Sequence, residues 1–91
     1  MKGAPIPVVS GRDDQESWTI APARYAKGMV AFHVKKNVPD GWMGRMSRLC
    51  SYFGRYSHRE RSYIMSPTRM HKMLKIHSEG GDYSPITGRF S

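Results

Sequence analysis

GWMGRMSRLCSYFGRYSHRERSYIMSP, residues 41–67, carries the punctuation from which the fold is read. Trp42, Met43, Met46, Leu49, Cys50 and Phe53 recur in it at helical spacing. At 100° per residue they fill an arc of about 120°, which predicts an amphipathic helix over residues 42–53. Asp40, just upstream, is the expected N-cap, its charge suiting a helix start, and Gly54 suits the exit. Residues 55–58 then read as a turn and residues 59–65 as a strand ending in Tyr63, Ile64 and Met65. Ser66 followed by Pro67 is a cap and first-position pair that opens a second helix. Along that helix Met70, Met73, Leu74 and His77 share one face, and Gly80-Gly81 ends it.

Upstream of this stretch, residues 28–36 alternate with a period of two. Val30, Phe32 and Val34 fall on one side and Met29, Ala31, His33 and Lys35 on the other, the pattern of a half-buried strand. Trp18-Thr19-Ile20 suggests a shorter strand, and residues 22–27 a helical turn or a hairpin turn. Residues 1–16, with Gly3, Pro5, Pro7, Gly11 and an acidic stretch, read as an irregular arm with a short extended piece at 7–10. Residues 81–91 read as a polar tail with Tyr83, Ile86 and Phe90 as possible anchors, leaving residues 17–80 as one compact domain. The order of elements predicts an α+β fold, a small sheet of two to three short strands with two amphipathic helices packed on one face. Strand pairing, parallel or antiparallel, is left open by the pattern.

Ninety-one residues make one domain with a small core. A single cysteine permits no intrachain disulfide, no apolar run approaches membrane-span length, and the first residues lack the apolar stretch of a secretory signal. A cytoplasmic location is therefore expected. The net charge of +8 is the strongest functional signal, and it is uneven. Residues 1–40 hold six basic and four acidic side chains, whereas residues 41–91 hold nine and three. Such a balance points to a polyanionic partner, nucleic acid first.

The candidate binding residues follow from where the charge lies. Arg45, Arg48, Tyr52, Arg55, Tyr56, His58, Arg59 and Arg61 interleave guanidinium groups with aromatic rings. The guanidinium fork matches phosphate, and tyrosine offers a face to an unpaired base. Arg69, Lys72 and Lys75, with His71, line one face of the second helix and extend the same surface. The plain alternative is a solvated face on a basic protein. The polyanion reading requires these groups to converge in space rather than pair with the chain's own carboxylates.

Other chemistries find less support. The histidine spacings do not suit a metal site, and one cysteine cannot build a structural zinc site. No glycine-rich phosphate loop precedes a helix, no nucleophile–base arrangement stands out, and no small-molecule cofactor is expected. Cys50 lies on the apolar stripe and reads as buried and inert. The seven methionines read first as gap-filling core residues. The main function expected is a small basic nucleic-acid-binding protein. One alternative is an inhibitor or adaptor of the phage or mobile-element kind. It would dock its basic face on an acidic protein or block a nucleic-acid-binding complex. A metal-independent ribonuclease, with His58 and Glu60 near arginines, is a second alternative.

Overall fold

The alternation that marks residues 28–36 sets the pattern for a larger sheet. A computed structural model describes residues 8–13, 15–22, 28–37 and 44–91. Its elements are β1 (Val9–Asp13), β2 (Glu16–Pro22), β3 (Val30–Lys36), α1 (Arg45–Phe53), β4 (Arg55–Ser57), β5 (Ser62–Met65), α2 (Pro67–Ser78), β6 (Tyr83–Ser84) and β7 (Arg89–Phe90). The first five strands form one sheet in the order β1-β2-β3-β5-β4, every neighbouring pair antiparallel. β6 and β7 form a separate antiparallel pair.

This corrects the expected α+β layout with its sheet of two to three short strands, since the described residues contain more strand than helix. The two edges account for the difference. β1 runs Val-Ser-Gly-Arg-Asp and β4 Arg-Tyr-Ser, short stretches without sustained apolar alternation. An edge strand pairs on one side only, so little in its own sequence has to announce it. Residues 9–13 thus lie in the sheet where an irregular arm was read, and residues 55–57 where a turn was read. The turn falls instead at residues 58–61.

Register assigns the faces. Trp18 sits opposite Val34, Ile20 opposite Phe32, and Val30 opposite Met65. These residues project to the side covered by both helices, where they pack with Met46, Leu49, Cys50, Phe53, Met70 and Met73. Met46, Met65, Met70 and Met73 are thereby core residues, filling gaps between the sheet and the helices. Ser17, Thr19, Ala21, Ala31, His33 and Lys35 alternate to the opposite face. The helices run antiparallel: the start of α1 and the end of α2 lie at the Glu16 end of the sheet.

α2 begins as its sequence says, with the Ser66 hydroxyl accepting from the Arg69 backbone N–H at 3.3 Å and Pro67 in the first turn. α1 does not. Its N-cap position is Gly44, not Asp40, and Gly44 has no side chain with which to cap. Asp40, Trp42 and Met43 lie outside the described residues. Glu16 supplies the cap from β2: its Oε2 accepts from Met46 N–H at 2.7 Å and its Oε1 from the Ser47 hydroxyl at 3.1 Å, with the side chain fully buried. A Cβ on Gly44 would stand 2.4 Å from that carboxylate, so the capping position must be glycine for the remote cap to reach.

Gly11 plays a similar part under Trp18, whose ring would stand 2.1 Å from a Cβ there. Trp18 in turn packs on Phe32 at 5.3 Å between ring centres. Gly11→Ala should displace this buried ring and cost about 1–3 kcal/mol, the usual range for overpacking. Thermal unfolding followed by circular dichroism is the check, with a fall of about 4–20 °C expected. Among the described residues no helix is long and apolar enough to cross a membrane.

Candidate nucleic-acid interface

The candidate arginines divide into two groups with different partners. Arg45 and Arg48, on α1, turn toward the chain's own carboxylates. Arg45 Nη2 donates to the His77 carbonyl at 2.8 Å and lies 4.0 Å from Asp13 Oδ1. His77 Nε2 meets the same Asp13 oxygen at 2.7 Å, so β1, α1 and the end of α2 are tied at one point. Arg48 makes a two-pronged contact with Asp82: Nε lies 3.2 Å from each carboxylate oxygen, and Nη2 also donates to Oδ2. The hydrogen bond and charge of Asp82 hold the Arg48 guanidinium still further from deprotonation, against the opposing effect of burial.

Arg48 and Asp82 fasten the chain's last ten residues. The segment read as a tail folds into the β6–β7 hairpin, which lays Tyr83 and Phe90 against α1. Tyr52 packs at a tilt against Tyr83 at 4.7 Å and meets Phe90 edge-on at 4.9 Å, while Phe53 stacks on Phe90 at 5.5 Å. Two of the three anchors suggested by sequence do hold, but Ile86 is 94% exposed. Tyr52 is half-exposed, with its ring already engaged by three neighbours.

The second group faces solvent. Arg55, Tyr56, His58, Arg59 and Arg61 lie along β4 and the turn to β5 at the sheet edge, and all are exposed. Tyr56 packs edge-on against Tyr63 at 5.1 Å and against the His58 ring at 5.0 Å. Arg61 adopts a left-handed conformation at φ 54°, and its carbonyl accepts from His33 Nδ1 at 2.8 Å, which fastens the turn to β3. Arg69, in the first turn of α2, joins Arg55 in lining an open groove of about 430 Å³, floored by Gly54, Ile64 and Met65 and bordered by Tyr52. Lys72 and Lys75 are exposed further along α2. They are three and six residues beyond Arg69, about 5 and 9 Å along the axis, and so within a screening length of it.

Pairing inside the fold changes the charge seen from outside. Asp13, Glu16 and Asp82 are committed to α1, α2 and the C-terminal hairpin. Of the described carboxylates, that leaves Glu60 and Glu79 at the surface. Arg12, Lys35, Lys36, Arg55, Arg59, Arg61, Arg69, Lys72, Lys75 and Arg89 are the described cations outside these internal pairs. The exterior of the described residues is therefore more one-sidedly basic than the composition. Sequence reasoning missed the three inward carboxylates, although Glu16 carried a signal: it is in phase with Trp18 and Ile20 on the buried side of β2.

His58 makes no hydrogen bond or ion pair with Glu60, whose backbone N–H instead donates to Ser57 Oγ at 3.2 Å. Among the described residues no group of His, Cys, Asp or Glu side chains is placed to hold a metal ion. Cys50 is fully buried, its thiol donating toward Met73 Sδ at 3.7 Å. Burial, with a smaller push from the Glu16 charge, moves the thiol far above its ordinary range. A disulfide reagent at pH 8 should therefore react only as fast as the protein unfolds. Labelling in increasing urea should follow the loss of circular dichroism, and rapid labelling of the native protein would contradict the burial described.

The chain matches no protein-family model, no curated protein and no solved structure.

Proposed function

We propose that the protein binds nucleic acid through its phosphates. The Arg55–Arg69 groove would be the principal contact, and Arg59, Arg61, Lys72 and Lys75 the surrounding positive field, with the His58 ring beside them. The observation that carries this reading is the inward commitment of Asp13, Glu16 and Asp82, which leaves the exposed guanidinium groups without carboxylate partners among the described residues. Two guanidinium groups on one groove suit a phosphate oxygen pair better than ammonium groups do, because each donates through a planar fork. Tyr52 and Tyr56 have their rings packed on the protein's own aromatics, so in this reading they border the phosphate contacts and do not serve as stacking platforms. Arg45 and Arg48 drop out of the binding set and act as braces.

The test is fluorescence anisotropy with a labelled oligonucleotide over a range of salt concentration. Affinity should fall steeply with salt, by about 0.9 log units per log unit of salt for each duplex phosphate engaged. Arg55→Ala with Arg69→Ala should weaken binding roughly tenfold to a hundredfold and lower the slope by about two, with the thermal midpoint little changed. Recovery from extract of a stoichiometric protein partner that survives nuclease treatment, with no binding to oligonucleotides, would replace this reading by the protein-docking one.

A further inference from the structure

The face of the five-stranded sheet turned away from the helices has a composition of its own. Register places Arg12 on β1 opposite Ser17 on β2, and Ser17 opposite Lys35 on β3. The next row on the same face is Ser10 opposite Thr19 and Thr19 opposite His33. With strands about 4.8 Å apart, Arg12 and Lys35 stand about 10 Å from one another across the row, and the hydroxyl row lies about 7 Å along the strands. Ser10 Oγ and Thr19 Oγ1 are 3.3 Å apart and share a hydrogen bond. Arg12, Lys35 and Ser10 are exposed, and Ser17, Thr19 and His33 are half-buried.

Two absences among the described residues give this face its selectivity. The neighbouring carboxylates, Asp13 and Glu16, face each other in the register and so share the helix side, where both are occupied. The aromatic residues of the sheet also fall on the helix side, with Phe32 opposite Tyr63, Tyr63 opposite Tyr56, and Trp18 packed on Phe32. Around Arg12, Thr19, His33 and Lys35 the described residues of this face therefore offer cations and hydroxyl or imidazole groups, with no carboxylate to repel a phosphate and no ring to stack on a base, while Ala21, Ala31 and Ile64 make the part of the face toward β5 apolar.

We infer that this sheet face, centred on Arg12, Thr19, His33 and Lys35, is a second nucleic-acid contact that grips the sugar–phosphate backbone of a duplex without reading its sequence. The inference rests on the nucleic-acid reading of the groove and adds both a surface and a substrate form. Proteins that hold single strands rely on stacking aromatic rings, which this face lacks. Backbone contacts from arginine, lysine, serine and threonine position a protein on a duplex and carry no sequence information. His33 links the two surfaces, since its Nδ1 fastens the turn bearing Arg59 and Arg61 to this face.

The experiment is a titration of isotope-labelled protein with a 12-base-pair duplex of mixed sequence, followed by amide chemical shifts. Anisotropy measurements on Arg12→Ala with Lys35→Ala accompany it. Shifts in β1, β2 and β3, together with a fall of about two in the salt slope of the double variant, support the inference. If the wild-type protein binds the duplex but the shifts stay within α2 and the groove and the variant keeps the wild-type slope, the sheet face is excluded and the groove reading stands. Tighter binding of the single strand than of the duplex likewise overturns the sheet-face assignment alone. Failure to bind either form at low salt overturns both. The footprint uses the wild-type protein, so a variant that folds poorly does not remove the test.

Discussion

Glu16→Ala should lower the stability of the protein by about 2–5 kcal/mol, because it leaves two buried donors without an acceptor. Glu16 is fully buried and accepts from two donors at the start of α1. Alanine would strand the Met46 N–H and the Ser47 hydroxyl, both in a buried setting and each costing about 1–3 kcal/mol unpaired. It would also take a negative charge from the positive end of the helix, where such a charge is favourable. Nothing local can replace it, because Gly44 has no capping group. A small domain is stable by roughly 5–15 kcal/mol, so the loss is a large fraction of the total. Urea unfolding is the measurement. Ser47→Ala removes one donor and leaves the cap on Met46, so it should cost about 1–2 kcal/mol. Equal effects from the two substitutions would mean that Glu16 does not cap α1.

The same contact explains one limit of reading this fold from its sequence. A helix over residues 42–53 is legible from its apolar stripe, and its end at Phe53 agrees with the structure. Its beginning is not legible, because the cap arrives from a residue 30 positions upstream. Local signals served well where the chemistry is local. Ser66 and Pro67 start α2 as read, and the alternation of Val30, Phe32 and Val34 marks β3. They failed at β1 and β4, where short edge strands owe their conformation to the neighbour's backbone rather than to their own apolar pattern.

The candidate site was legible to the same degree. Exposed positions on α2 follow from helical period, so Arg69, Lys72 and Lys75 lie where the sequence puts them. For Arg45 and Arg48 the period gave a polar flank, but the carboxylates that claim them, Asp13 and Asp82, are 32 and 34 residues away in the chain. No window of helical length contains both partners. The charge excess in the second half of the chain was therefore real, while its division between bracing and docking groups depended on long-range pairing. That division can be tested without nucleic acid, by asking what each guanidinium does for the fold.

Asp82→Ala is the sharpest form of that question and should cost about 2–3 kcal/mol. The Arg48–Asp82 pair is about one-quarter exposed, with side-chain exposures of 28% and 26%, so the loss belongs near or below the lower end of the range for buried pairs. Asp82 also accepts from the Tyr83 backbone N–H at 2.7 Å, which sets the entry into the β6–β7 hairpin. Its loss should loosen Tyr83 and Phe90 from Tyr52 and Phe53, an aromatic group in which each pair contributes about 0.5–1.5 kcal/mol beyond burial. Two readouts separate this from a general weakening. Tyrosine near-ultraviolet dichroism should fall at temperatures where the far-ultraviolet signal of the main sheet persists, because the hairpin is a separate sheet held to the domain through α1. Nucleic-acid affinity measured below the unfolding transition should not decrease, and its salt slope should not drop, since Arg48 is a brace in this account. A lower slope in Asp82→Ala, with the hairpin's dichroism intact, would return Arg48 to the binding surface and redraw the division on which the proposed function stands.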